Sequence, residues 1–275
     1  MMRGWRPSPI PVRCDAKNTS HKGEDMTYEP IRPRARIGFI IPSSNRMVEP
    51  QARRFLPADV EPHFTRIGMT NRHKAPLDQL LARILHATEL LADSKCDVTV
   101  LQCTGTSMSG GVQAERDVLK AMEAASGKPA LSAASCITSA LTTLRARKLV
   151  FISETQQEGH EKKAKYLKEA GYTLLADKAV GLSGTDEYCA MPPQLWFDTA
   201  VAMRRDDADA YFISCANIRS IDVIQQLEAT LGKPVVTSNQ AAFWRALRMA
   251  GVDDNVRALG SLMKHTAPVD LLDAA

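Results

Sequence analysis

No apolar run in this 275-residue chain approaches the roughly 20 residues that cross a bilayer. A membrane partner is therefore not expected. Charge of one sign is lacking too: 35 Lys and Arg against 31 Asp and Glu leave +4. Residues 1–25 carry +2 of that, with Arg3, Arg6, Arg13, Lys17 and Lys22 against Asp15, Glu24 and Asp25. So little charge on the remainder, and no basic stripe interleaved with aromatics, gives a nucleic-acid partner no support. None of the six cysteines (Cys14, Cys96, Cys103, Cys136, Cys189, Cys215) forms a C-x-x-C pair. The six histidines (His21, His63, His73, His86, His160, His265) are scattered, without H-E-x-x-H or His/Cys ligand spacing, so no metal site is expected. Neither G-x-G-x-x-G nor G-x-x-x-x-G-K-[ST] follows any candidate strand, which leaves dinucleotide and nucleoside-triphosphate sites unsupported. The first 30 residues hold arginines but no apolar h-region, a poor secretory signal. Their Pro, Ser, Lys and Gly content predicts a disordered leader, with Met26 an alternative start. A cytoplasmic protein with reduced thiols is the expectation.

What is present is a repetition. Glu123-Ala-Ala-Ser-Gly-Lys-Pro129 is echoed by Glu228-Ala-Thr-Leu-Gly-Lys-Pro234. Upstream of each lies an apolar run ending in cysteine, Asp97-Val-Thr-Val-Leu-Gln-Cys103 and Asp209-Ala-Tyr-Phe-Ile-Ser-Cys215. Each run has the length of a buried strand. Around them, strands are predicted at 36–42, 61–69, 97–102 and from Pro129, then again at 148–153, 172–180, 210–214 and 234–237. Helices are predicted at 47–55, 77–95, 113–125 and 135–145, then at 160–170, 192–205, 220–231 and 239–250. Such alternation argues for parallel α/β architecture. Its repetition argues for two pseudo-symmetric lobes, each a mainly parallel sheet flanked by helices, with the active site in the cleft between them. The expected boundaries are 31–146 for the first lobe and 147–238 for the second, with the C-terminal helical segment 239–275 returning to the first.

The repeat is uneven. Seven more residues separate cysteine from glycine in the first copy, and the added stretch is Gly105-Thr-Ser-Met-Ser-Gly-Gly111. Ligands of parallel sheets bind beyond the carboxyl ends of the strands. Thr104, Gly105, Thr106 and Ser107 there offer backbone N–H groups and hydroxyls to a carboxylate, unless the stretch is a plain solvated turn. Cys103 and Cys215 stand between a strand end and a helix, where backbone donors and the helix N-terminus favour thiolate. A single buried cysteine is more often an inert small hydrophobe, and only the symmetric placement argues otherwise. Ala216 and Asn217 supply matching N–H donors, although Asn217 reads equally as a helix cap. Asn45, after the first strand, reads as a carboxylate donor or as a turn residue. Thr155 holds the comparable place in the second half, in a stretch that also reads as a polar loop.

Ile41-Pro-Ser-Ser-Asn45, the segment from Cys103 to Gly111, and Ser214-Cys215-Ala-Asn217 resemble the maleate isomerase and arylmalonate decarboxylase branch of the aspartate/glutamate racemase superfamily. The resemblance runs over about residues 35–252. Gly232-Lys-Pro-Val-Val-Thr-Ser238 and Ala242-Phe-Trp244 resemble the decarboxylases, and the Pro-Ser-Ser-Asn turn the isomerases. It implies two lobes enclosing a small carboxylate without metal or organic cofactor, one thiol from each lobe at Cys103 and Cys215, carboxylate donors at Asn45, Thr104, Gly105, Ala216 and Asn217, and a homodimer or larger homo-oligomer. Thr155 stands where many relatives have tyrosine, which implies loss of a phenol donor. The decarboxylases have glycine in place of the first cysteine. Aligning on Gly105-Thr106-Ser107 would make this chain decarboxylase-like, whereas the ungapped alignment keeps Cys103 and agrees with the repeat. The expected activity is cofactor-independent isomerisation of a small dicarboxylate, most like maleate to fumarate, with Cys103 on the cradle and adduct-forming side and Cys215 as proton donor. Alternatives are decarboxylation of a substituted malonate, racemisation of an amino acid, and, outside catalysis, a two-lobed carboxylate-binding protein.

Overall fold

A computed structural model describes residues 32–70 and 73–269; the expected leader and Cys14 lie outside them. The first half runs β1 (Ala35–Pro42), α1 (Val48–Phe55), β2 (Val60–Ile67), α2 (Leu77–Asp93), β3 (Val98–Leu101), α3 (Thr104–Ser107), α4 (Gly111–Ser126), β4 (Ala130–Ser132) and α5 (Ala133–Thr143). The second runs β5 (Lys148–Thr155), α6 (Gln157–Glu169), β6 (Thr173–Leu182), α7 (Thr185–Ala190), α8 (Pro193–Ala202), β7 (Ala210–Ile213), a 3-10 turn at Ser220–Val223, α9 (Ile224–Leu231), β8 (Val235–Thr237) and α10 (Ser238–Met249). The strands form two parallel sheets of identical order, β2-β1-β3-β4 and β6-β5-β7-β8. Two pseudo-symmetric α/β lobes are thus present.

The duplicated sequence is a structural device at each place. Asp97 accepts from the backbone of Arg36 at 2.8 Å, and Asp209 from that of Lys148 at 2.7 Å, which locks β3 to β1 and β7 to β5. Gly127 and Gly232 end α4 and α9 at φ of 63° and 66°, a left-handed conformation in which a side chain is costly. The glutamate of each copy reaches forward to the next strand, Glu123 to the Ala130 N–H at 3.4 Å and Glu228 to that of Val235 at 3.1 Å. Each strand then ends in a hydroxyl residue, Ser132 or Thr237, that forms a capping box with Ser135 or Gln240 and starts the next helix.

The helices so started, α5 and α10, are matched in the two halves and pack on each other. Nearly every residue of both is buried, as for a helix with no solvent face. Phe243 of α10 meets Phe39 of β1 edge-to-face at 5.8 Å, so one apolar core runs through both halves. Beyond α10 the described residues do not continue the helix expected over 239–275. Residues 257–259 and 261–264 are 3-10 turns, pinned by Arg248, which donates to the carbonyls of Val252, Met263 and His265. Other departures from the expected elements are local: α6 starts three residues early, α8 stops at Ala202, the Gly/Ser stretch after Cys103 opens with the helical turn α3, and α7 fills a stretch for which no element was expected. Among the described residues no helix is long and apolar enough to cross a membrane.

Candidate active site

The carboxyl ends of β3 and β7 meet at one hydroxyl. Ser238, the first residue of α10, accepts from Thr104 Oγ1 at 2.9 Å and from the backbone N–H of Cys215 at 3.0 Å. Because Thr104 directly follows Cys103, this contact brings the two strand-end cysteines to one buried site. Their exposures are only 7% and 8%. Around Ser238 a closed amide network joins the halves. Gln102 donates to Ser238 O at 3.2 Å and to Asn239 Oδ1 at 2.8 Å. Asn239 donates to Gln51 Oε1 at 2.6 Å and to Ala216 O at 3.1 Å.

Asn45 faces this network. Its oxygen accepts from the Met47 and Val48 N–H groups at the start of α1, while its nitrogen donates to Ala216 O at 3.0 Å. The amide thus closes the turn on one side and holds the second lobe's backbone on the other. Two amides fix the Ala216 carbonyl. In a trans peptide the N–H points the opposite way, and the Asn217 N–H lies 3.3 Å from Cys215 Sγ. Asn217 caps no helix: its Oδ1 accepts from Arg46 N at 2.8 Å. Cys215 itself has φ of 109°, which L residues other than glycine rarely adopt. Such strain persists only where surroundings impose it, and it collects at functional sites.

On the other side, Cys103 Sγ lies 3.1 Å from Thr106 Oγ1 across the α3 turn. The remaining expected residues separate. Gly105 is exposed, with open space where a Cβ would stand. Ser107 is turned inward: its hydroxyl donates to Thr104 O at 3.2 Å and its N–H to Cys103 O at 2.9 Å, so it is not available as a carboxylate donor. Thr155 ends β5 rather than lying in a loop, and Tyr188 from α7 lies near its side chain. The phenol expected to be missing thus enters from another element.

Burial pushes both thiols up, Cys103 above the ordinary cysteine value and Cys215 well above it. Desolvation of a buried sulfur thus opposes the pull toward thiolate expected from the nearby donors. Cys96, set aside as structural, is pushed by burial to about 11. Cys189, also set aside, packs against the site with its sulfur 3.3 Å from Asn217 Oδ1.

Sequence reading missed three charged or phenolic side chains here. Lys163 Nζ donates to both oxygens of Glu154, at 2.7 and 2.6 Å, in an ion pair with 6% and 8% of its side chains exposed. His160, one turn earlier in α6, anchors that helix by its ring nitrogens, to Ser153 at 2.7 Å and Asp177 at 2.9 Å. Burial pulls the Lys163 ammonium down, but Glu154 and Cys215 more than offset this and leave it above the usual lysine value. Tyr188 faces the same group and is kept a phenol by burial. The available signal was Lys163 sharing one helical face with His160, Ala164 and Leu167, all buried. Toward solvent, a cleft of about 690 Å³ opens between the Ser43–Arg46 turn and the 183–187 segment and ends on Asn45. Arg46 holds Asp186 across it at 2.5 Å. Among the described residues no three His, Cys, Asp or Glu side chains are placed to hold a metal.

Comparison with known proteins agrees with this geometry. The chain is 24% identical to arylmalonate decarboxylase of Bordetella bronchiseptica over 217 residues, 78% of this chain and 90% of that protein. It is 25% identical to maleate isomerase of Nocardia farcinica over 244 residues, 85% and 97% of the two chains. Among solved structures, a cysteine-to-alanine variant of the maleate isomerase Iso from Pseudomonas putida S16 with maleate superposes with a TM-score of 0.77 at 22% identity, over 85% of this chain and 98% of that one. A cysteine-to-serine variant of the Nocardia farcinica maleate cis-trans isomerase, carrying a covalently bound succinylcysteine intermediate, superposes at 0.76 and 22%, over 84% and 98%. The arylmalonate decarboxylase family matches residues 37–263, nearly all of the folded chain, and the protein belongs to that family.

Proposed function

We propose that this enzyme isomerises a small dicarboxylate without a cofactor, most like the conversion of maleate to fumarate. The observation that carries the reading is Ser238, whose hydroxyl joins Thr104 to the Cys215 backbone and sets two buried cysteines at one site. In this reaction Cys103, having lost its proton to solvent, adds as the thiolate to one alkene carbon, and the π pair moves to the other carbon, which takes the Cys215 proton. The single bond rotates. Cys215 then recovers the proton as the carbon–sulfur bond breaks. The N–H groups of Thr104, Gly105, Ala216 and Asn217, with the Thr106 hydroxyl at Cys103, offset charge during addition. Asn45 acts by fixing Ala216. Thr155 acts through Tyr188, and Ser107 by holding α3. Incubation with maleate, followed by proton NMR, is expected to yield fumarate. Cys103→Ser and Cys215→Ser are each expected to lower kcat by at least a thousandfold; unimpaired turnover in either variant removes the two-thiol reaction.

The family match favours a second reading, loss of CO2 from a substituted malonate with Cys215 protonating the enediolate. That reaction does not need Cys103, so CO2 release that survives Cys103→Ser, without fumarate formation, selects it. Under either reading we place the protein in the cytoplasm, since all five cysteines of the described residues are free thiols. We further propose a homodimer or larger assembly, which light scattering tests, and lobes dividing at 146/147 with the segment after 238 returning to the first.

A further inference from the structure

The reaction written above uses neither Glu154 nor Lys163, yet both lie buried against Cys215. Their placement follows from the sheet. Ile152 pairs with Ile213, and the Ser214 N–H donates to Ile152 O at 2.9 Å. Two residues beyond this last pair, at the carboxyl ends of β5 and β7, come Glu154 and Cys215, both buried. The Glu154 carboxylate is close enough to the Cys215 thiol to add to the upward push of burial. Lys163 arrives from α6 and closes on both carboxylate oxygens. Its ammonium faces Cys215 as well, and Cys103 more weakly. The phenol of Tyr188 faces the same three groups from α7.

The first lobe has no such pair. Ile40 pairs with Leu101, so the residue matched to Glu154 beside Cys103 is Pro42. Cys103 meets the neutral Thr106 hydroxyl instead. Two sulfurs in equivalent positions thus have partners of different charge. Stability alone does not account for the ion pair, because well-packed apolar residues commonly replace a buried pair without loss.

We propose that Glu154 and Lys163 divide the labour of the two thiols: Cys215 rests protonated, donating to the Glu154 carboxylate, and Lys163 balances the thiolate left when that proton is delivered. In the step, the Cys215 S–H bond breaks, its electron pair stays on sulfur, and the proton forms a C–H bond on the substrate; the same thiolate later takes it back. Lys163 then faces two anions rather than one, while Cys103, which both groups of the pair reach only after its own Thr106 hydroxyl, is left as the nucleophile. This assignment rests on Cys215 being a reacting group. Its test does not need a substrate, so failure of the maleate reading and failure of this one are told apart.

The test is the rate at which iodoacetamide, a neutral reagent, alkylates Cys215 between pH 6 and 10. It is read by peptide mass spectrometry in a Cys103→Ser background. Glu154→Gln removes the acceptor and leaves an unbalanced ammonium, so Cys215 is expected to react about tenfold faster or more at pH 7.5, with its pH midpoint lowered. Lys163→Gln leaves an unbalanced carboxylate, and the rate is expected to fall several-fold with the midpoint raised. A merely structural pair would loosen the site either way and speed both variants. Equal signs, or no change in either, overturn the proposal. If a lone buried charge prevents folding, the neutral double variant Glu154→Gln/Lys163→Gln decides. In the double variant Cys215 is expected to alkylate faster with its pH midpoint lowered, while Cys189, which packs against the same site, keeps its rate; a loosened site would speed both thiols, so a midpoint not lowered, or both thiols faster, overturns the assignment.

Discussion

Ser238 is a small residue with two consequences. Its hydroxyl orients Thr104, which follows Cys103, and it holds the N–H of Cys215 while that residue keeps φ of 109°. Ser238→Ala removes both contacts. It should cost about 1–3 kcal/mol for each of the two buried donors left without a partner, and lower kcat ten- to a hundredfold, because a displaced sulfur forfeits alignment. Denaturant titration beside steady-state kinetics checks this; a stability loss with kcat intact would reduce Ser238 to packing. The cysteines were legible in the sequence because a repeat marks them. Ser238 was visible only as part of a family-like segment, since its contact to Thr104 crosses 134 residues and that to Cys215 crosses 23. Glu154 and Lys163 were not legible, because a strand end and a helical face nine residues apart become partners only once α6 is laid on β5. Thr155 read as a lost phenol because Tyr188 returns from another element.

At the scale of elements, the long helices and strands were legible from periodicity, and the two short helices were not. Four residues in α3 and six in α7 give no periodic signal. Helix α4 carries a feature that no pattern showed. Its Glu115 is buried between the Ser132 hydroxyl, which caps α5, and the Tyr166 hydroxyl of α6 at 2.5 Å. Burial raises its carboxyl above the ordinary value, against the pull of both hydroxyls. Protons therefore bind the folded state more readily than the unfolded one. The resulting stabilisation is fully present below the unfolded value of 4.5 and is lost as pH rises through the folded one. Relative to Glu115→Gln, wild type should hold its full advantage at and below pH 4.5 and lose it as pH rises above that. Paired thermal melts across this range measure it; a gap independent of pH would mean that the carboxyl is not desolvated as described.

Over the whole molecule, alternating strands and helices were enough to predict two parallel sheets. They do not say which faces of the two halves meet. That is decided by the matched helices α5 and α10, which the capping boxes at Ser132 and Thr237 start in equivalent directions and which bury nearly all their residues against each other. The site lies on this seam, with Ser238 and Asn239 forming the first turn of α10. A hinge there would separate Cys103 from Cys215, so the chemistry requires that the halves not open independently. The continuous core running from Phe39 through Phe243 argues that they unfold together. Phe243→Ala should cost about 3–5 kcal/mol, the usual range for deleting a buried aromatic side chain. It should do so as one shifted transition, with tryptophan fluorescence and far-ultraviolet dichroism coincident, because Trp196 is fully buried in the second half and Trp244 on the seam. Two separated transitions would mean that each half holds its own core and that the seam is an interface rather than the centre of the fold.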